Sequence, residues 1–503
     1  MANETTRRRL LASVGGVAGV ALGGTAGAAP VRASPSASAD ELPVRWNRTY
    51  APNRINGAVG ALEHDGQYVA LGTTGEEGTE TTGWLFAVDG TSGAGQWQTS
   101  VENTDVDAQP QFQQLVEAPD GDGFALLGAR LNEGVASLVR TGPNGEAVWW
   151  EEYEVETDGE ASGTFLSSSL VPTDDGYFVG GARLAGSSVS AVVLDVAVDG
   201  TERSRTRLFG NERSNLLDAT PDGEGGLVGV GQLQTRSTSA SDRPRVRAVA
   251  VGLDAGLSVA WTREFTASRD GAPFQTNLPQ AVTGTAEGYA VAGSVAPEGG
   301  ESSRGWVLLL DGDGTERTSR LFAPQPVTSL TGVVEASDGL TVVGQLAESV
   351  TSTSTTGWVA ELDDGAQGRW SKSFDAAAVN NPVDVFATSD DGVALVGTTQ
   401  AGSRDADPRS RGWLVKLGGD PAPSVTDSEG TDTPEPTPTP TTEQTSTDAP
   451  GSTPAPTTTP ARMATDTPDD DTTTGSGPGF GVVGTLTALG AGALYRRLVD
   501  DGE

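Results

Sequence analysis

The chain has 503 residues, 68 acidic and 32 basic, for a formal charge of −36. It has no cysteine and one histidine, which excludes disulfides, thiolate metal sites, cysteine nucleophiles, a lipobox anchor and His-rich metal centres. The charge repels nucleic acid and anionic lipid heads over long range, so no nucleic-acid partner is expected.

Lys372 and Lys416 are the only lysines. Near 1 M salt the screening length falls to about 3 Å and self-repulsion fades. An acidic, lysine-poor chain with globular patterning therefore reads as the protein of a halophile.

Residues 1–29 read as a secretory signal. Arg7, Arg8 and Arg9 precede Leu10-Leu11 and a Gly/Ala/Val/Leu run, with small residues for cleavage near Ala28 or Ala29. The pair Arg7-Arg8 before Leu-Leu resembles the twin-arginine export signal, which implies export of an already folded chain.

Residues 40–419 form the next region, and it opens on an orphan strand, VRWNRTYAP (44–52). Asn47-Arg48-Thr49 within it is the one N-glycosylation sequon outside the signal, making Asn47 a candidate glycan acceptor if that strand edge is exposed. A pattern then recurs seven times, marked by turn glycines Gly66, Gly123, Gly176, Gly226, Gly288, Gly339 and Gly392. Its period of about 54 residues signals a solenoid or propeller. Each copy reads as four strands. A first strand such as QQLVEAP (113–119) leads to the turn, and an apolar second strand such as DGVALVGTT (391–399) follows. The third strand resembles GWVLLLD (305–311), and the fourth is aromatic, as in AWTREF (260–265). Small residues inside the second strands allow close packing, and the nearly continuous apolar runs fit sheets covered on both faces.

The expected fold is all-β: a seven-bladed β-propeller of four-stranded blades. The seventh copy stops after GWLVKLG (412–418) without its aromatic strand, and the orphan strand matches that missing pattern. The N-terminal strand is therefore expected to close the last blade. A different blade count, through a split of the irregular 176–288 region, is the competing reading. All ten tryptophans fall in repeat positions, which points to blade packing rather than a carbohydrate-stacking surface.

Motifs for chemistry are weak. Ala87-x-Asp89-x-x-x-Gly93-x-x-x-Trp97 resembles the tryptophan-docking motif of PQQ-type quinoprotein propellers. The resemblance implies tryptophans linking neighbouring blades more than a redox cofactor. Asn103-x-Asp105-x-Asp107 alternates oxygen ligands as calcium loops do, but Ala108 and Gln114 stand where glycine and glutamate belong. Asp311-Gly312-Asp313-Gly314 reads as a hairpin turn, and His64 as a residue of the first blade's turn. No catalytic residue, metal site or cofactor is assigned. A carboxylate pair for hydrolysis cannot be picked from 68 acids by sequence.

Residues 420–477 are rich in Thr, Pro and Asp, as in TPEPTPTPTT (433–442), and read as an extended stalk. Residues 478–503 follow as Pro478-Gly479-Phe480, an apolar run and Arg496-Arg497. The 16 residues from Phe480 to Tyr495 give roughly 24 Å of helix against about 30 Å of hydrocarbon, short for a permanent span. This tail resembles the PGF-CTERM sorting signal of haloarchaeal surface proteins. The resemblance implies an archaeosortase-type processing enzyme, which removes the tail, and a lipid anchor that replaces it. A retained membrane helix is the competing reading.

The sequence thus leads to an expected exported, surface-anchored propeller acting as a non-catalytic binding or scaffold module, with an extracellular protein or glycan as its unidentified ligand. An extracellular glycan-active hydrolase or lyase is the alternative, and a PQQ-like quinoprotein a third reading.

Overall fold

The computed structural model describes residues 41–419 except 105, 107, 132, 155–162, 187, 211–212, 235–244, 337–338 and 403–405. The signal residues Arg7 and Arg8, the stalk, the tail tripeptide Pro478-Gly479-Phe480 and the calcium-like Asp105 and Asp107 lie outside the described residues.

The described chain is all-β. Strand β1 (Val44–Tyr50) comes first. Unit 1 then holds β2 (Ile55–His64), β3 (Gln67–Gly75), β4 (Thr82–Asp89) and β5 (Gly95–Val101). Unit 2 holds β6 (Gln111–Glu117), β7 (Phe124–Arg130), β8 (Val135–Thr141) and β9 (Ala147–Tyr153). Unit 3 holds β10 (Thr164–Thr173), β11 (Gly176–Ala185), β12 (Ser188–Ala197) and β13 (Glu202–Arg207). Unit 4 holds β14 (Arg213–Pro221), β15 (Leu227–Gln234), β16 (Val246–Leu253) and β17 (Val259–Phe265). A small hairpin, β18 (Ser268–Arg269) with β19 (Ala272–Pro273), leads to unit 5: β20 (Thr276–Thr285), β21 (Gly288–Ala296), β22 (Arg304–Leu310) and β23 (Glu316–Phe322). Unit 6 holds β24 (Val327–Ala336), β25 (Gly339–Ala347), β26 (Thr356–Leu362) and β27 (Gly368–Phe374). The last unit holds β28 (Val379–Ala387), β29 (Gly392–Gln400) and β30 (Ser410–Gly418), with β1 as its fourth strand.

Every unit is an antiparallel meander. Five are separate four-stranded sheets; units 4 and 5 merge into one eight-stranded sheet through a single parallel pairing of Val246 with Thr276. The expected pairing of the N-terminal strand is present: β1 runs antiparallel to β30, with Asn47 opposite Val415 and Thr49 opposite Trp413. The long 226–288 interval holds no additional four-stranded unit among the described residues. Part of its length is the β18–β19 hairpin.

Period-two alternation explains the apolar runs. Along β29, Val393 and Leu395 pack toward unit 6 while Ala394 and Val396 pack toward unit 1. Both faces of the inner strands are dry, so no polar alternation survives in the sequence. Each of the seven main apolar clusters draws on two consecutive units, and one of them joins Trp46, Val383 and Leu414 of unit 7 to Tyr68, Trp84 and Phe86 of unit 1. The fourth strands alternate instead: β5 and β17 are mostly exposed, with Trp97 and Trp261 half-buried.

Candidate functional site

The first strands β2, β6, β10, β14, β20, β24 and β28 lie beside one another in chain order, and β28 also lies beside β2. Each carries a bulge at the same place: after Ala58, Phe112, Ser167, Leu216, Pro279, Leu330 and Pro382. The residue paired just before each bulge is a glycine of the second strand: Gly72, Gly128, Gly181, Gly231, Gly293, Gly344 or Gly397. A Cβ at Gly72 would fall 1.8 Å from the Gly57 carbonyl oxygen, and one at Gly397 2.2 Å from that of Asn381. The bulged strand bends across its partner, and only glycine leaves room. This is the physical reason for the small residue that recurs in every second strand.

The bulges bring seven short stretches together and stitch unit to unit. Gln114 Nε2 donates to the Ser168 carbonyl at 3.2 Å, and Ser168 Oγ to that of Leu216 at 2.7 Å. The Val282 N–H donates to Asp218 Oδ2 at 2.8 Å, Gln280 Nε2 to Ser329 Oγ at 3.0 Å, and Thr331 Oγ1 to the Pro382 carbonyl at 2.8 Å.

Two of the seven positions directly after the bulge are carboxyls, Asp218 and Asp384; the others are Gly60, Gln114, Ser169, Ala281 and Gly332. Both aspartates keep a little accessible surface while protein crowds their remaining sides. Burial pushes the Asp218 carboxyl up to about 7, with the Asp384 charge adding to the rise and the N–H groups of Val282 and Ala219 opposing it. Burial pushes Asp384 up to about 6 against the Val385 N–H, which donates to Oδ1 at 2.8 Å. Among the described residues no basic side chain pairs with either. Gly60 leaves the space beside Asp384 unfilled: a Cβ there would meet only Asp384 Oδ2, at 4.0 Å. Two protonatable carboxyls in an otherwise uncharged, hydrogen-bonded row of bulges can bind a cationic or hydroxyl-rich group, or hold and release a proton near neutral pH.

The residues singled out from sequence serve structure where they are described. Asp89 Oδ1 accepts from Ser92 N and Oγ at 2.7 and 2.6 Å, closing the β4–β5 turn. Gly93 there has φ 67°, and Trp46 of unit 7 packs on it; Trp97, Trp149 and Trp261 likewise pack on Gly145, Gly200 and Gly314 of the following unit. The tryptophans therefore link neighbouring units. Strands β13 and β23 have no tryptophan, and the matching left-handed turn positions in units 4 and 6 are Leu257 and Ala366. Glycine stands only where an indole covers it. Asp311-Gly312-Asp313-Gly314 is the expected hairpin turn, with the Asp311 N–H donating to the Thr315 carbonyl at 2.9 Å.

His64 ends β2 half-buried. Its Nδ1 is 3.1 Å from Glu117 Oε1, and its ring meets Phe124 edge-on, so it joins units 1 and 2. Asn47 is exposed on outer strand β1, with Oδ1 accepting from Trp413 Nε1 at 2.7 Å. No group of three or more metal-ligating side chains occurs among the described residues. Asp218 and Asp384 escaped sequence reading. Aligning the seven copies on the second-strand glycine would have exposed them as carboxyls at an otherwise uncharged position.

No protein-family model and no curated protein matches the chain. Among solved structures it is similar to the β-propeller domain of the Trilobed protease from Pyrococcus furiosus (7% identity over 73% of this chain and 93% of that one, TM-score 0.41). It is similar to the polysaccharide lyase Uly1 (9%, 77% and 94%, 0.44) and to the quinohemoprotein alcohol dehydrogenase from Comamonas testosteroni (10%, 76% and 77%, 0.38). At such identities and scores these likenesses carry no argument about ligand or reaction.

Proposed function

We propose that the seven units are the blades of a closed seven-bladed β-propeller, and that this propeller is an exported binding or scaffold module anchored at the surface of a halophilic archaeal cell. Closure is supported by the β1–β30 pairing and by the apolar cluster that joins the last unit to the first. Export and anchoring rest on the Arg7-Arg8 signal and on the stalk and Pro478-Gly479-Phe480 tail, with an archaeosortase-type enzyme and a lipid anchor as partners.

The observation that carries the binding reading is the row of seven aligned bulges. Hydrogen bonds between successive units hold that rim before any ligand arrives, so little ordering is left for binding to oppose. Asp218 and Asp384 supply carboxyls that no basic side chain pairs with among the described residues, in a space that would be the propeller's channel. The ligand is an extracellular glycan or protein. The test is a thermal-melt screen of the full chain in multi-molar KCl against envelope glycans and polysaccharides. A glycan-specific rise that disappears in Asp218→Asn/Asp384→Asn supports the reading; a rise unchanged in that variant moves the site off the rim.

A glycan-active hydrolase or lyase is the second reading, favoured by the same two carboxyls, which titrate near neutral where an acid–base group works best. Turnover of any polysaccharide that shifts the melt, lost in either single Asn variant, would establish it. Binding without turnover leaves the non-catalytic module.

A further inference from the structure

Lys416 is one of the chain's two lysines, and its side chain is 2% exposed within β30. Its Nζ lies 2.5 Å from Asp390 Oδ1 and also donates to Thr388 Oγ1. The Thr388 hydroxyl donates to the same Asp390 oxygen at 2.7 Å, so it orients the carboxyl toward the amine. The Tyr68 ring of unit 1 lies 5.8 Å from Nζ. Glu63 of unit 1 grips the turn from the other side, accepting from Ser389 N and Oγ at 2.7 and 2.6 Å. Gly392 makes room for the amine: a Cβ there would fall 2.5 Å from Nζ.

This is unusual for an ion pair in so acidic a chain, where a cation finds a solvated carboxylate readily. Burying an ammonium is costly, and attraction in the interior repays that cost only with excellent geometry. Burial lowers the Lys416 pKa, while Asp390 and Glu63 pull it back. Burial raises the Asp390 carboxyl, but hydrogen bonds from Lys416 and Thr388 hold it below its ordinary value. The charged pair is the resting form; the reactive form is the minor one in which the proton has moved along the Nζ···Oδ1 hydrogen bond, leaving a neutral amine and a carboxylic acid. A desolvated, neutral lysine amine is a nucleophile.

We propose that Lys416 and Asp390 condense into an intramolecular isopeptide bond. The Nζ lone pair attacks Cγ of the protonated Asp390 carboxyl and an Nζ–Cγ bond forms. One Cγ–O bond breaks, the departing oxygen takes a proton from Nζ, and one water leaves. Nothing is oxidised or reduced, and no cofactor is needed. Held contact supplies the rate: a positioned amine and carboxyl react as one molecule rather than two. The bond joins the β28–β29 turn to β30 in a chain that has no cysteine for a disulfide. Gly419, where β30 hands over to the residues beyond, sits against Asp390, since a Cβ there would fall 2.2 Å from Oδ2.

Tryptic digestion of the full secreted chain with mass spectrometry is the test. A linked protein resists cleavage at Lys416, and the peptide spanning 373–404 appears joined to the one that begins at Gly412, lighter by one water than their sum. Lys416→Arg and Asp390→Ala should each release the two peptides separately. Recovery of an unmodified 373–404 peptide, with trypsin cutting after Lys416 in wild-type protein that shows a cooperative melt, overturns the proposal and leaves an ion pair between buried Lys416 and partly exposed Asp390. Because the wild-type digest decides, a variant that fails to fold does not blunt the test.

Discussion

Trp46 packs against Gly93: a Cβ on Gly93 would come 2.8 Å from the indole Cδ2. Trp46 lies on the N-terminal strand in unit 7 and Gly93 in a turn of unit 1, and Trp46 Nε1 also donates to the Gly90 carbonyl at 3.0 Å. One side chain of the last unit thus locks onto a turn of the first.

Trp46→Ala should therefore destabilise the domain by about 3–5 kcal/mol, the usual cost of removing a buried tryptophan. Denaturant melts in multi-molar KCl measure it. A loss below about 1 kcal/mol would mean that the seam between units 7 and 1 contributes little to stability.

The glycines opposite the bulges separate from the turn glycines by mutation. Gly397→Ala places a Cβ 2.2 Å from a backbone oxygen and should cost about 3 kcal/mol. Gly66→Ala, at φ 71° with nothing within 4 Å, should cost only about 1 kcal/mol. Equal melting points for the two variants would contradict the close approach at the bulge.

Asp218 and Asp384 set a pH dependence of definite sign. Their folded pKa values are raised to about 7 and about 6, so the fold disfavours the charged forms. Their contribution to stability is full below the unfolded value near 4 and declines as pH rises through about 7. Asp218→Asn/Asp384→Asn should stabilise the protein at pH 8, on the order of 2–3 kcal/mol after allowing for residual hydration, and flatten the stability profile between pH 4 and 7. A double variant whose melt still falls across that interval would place the titrating groups elsewhere.

Salt should act in one direction. With a formal charge of −36, self-repulsion opposes the compact state, and raising KCl from 0.1 M toward 1 M shortens the screening length from about 10 to about 3 Å. The melting temperature is expected to climb steeply over that range, whereas exposed pairs such as Lys372–Glu41 lose strength in the same titration. A melting point independent of KCl would mean that charge repulsion is not what chiefly opposes the folded state.

Much of the strand arrangement was legible because the repeat copies vary while their phase does not. The turn glycines, the Gly-Trp third strands and the orphan VRWNRTY each carry a local physical requirement that survives in one sequence. The β1–β30 pairing followed from a missing strand at one end and a spare one at the other. The bulges were not legible, because a bulge adds a residue without changing its neighbours' character; only the paired glycines hint at it. Asp218 and Asp384 were hidden for another reason. In a chain with 68 acids, a carboxyl stands out only by where it lies. Lys416 shows the opposite case: its rarity was visible, but burial beside Asp390 is a property of three strands and a turn together.

The pairing of β1 with β30 also sets a timetable. Asn47 waits for Trp413, 366 residues further along the chain. At about 5–20 residues per second that interval is roughly 20–70 s of synthesis, during which the strand that opens the domain has no partner. Such non-local pairing is slow to form. The arginines on that strand, Arg45 and Arg48, are charges of the kind that keep an idle edge from recruiting the wrong neighbour while it waits.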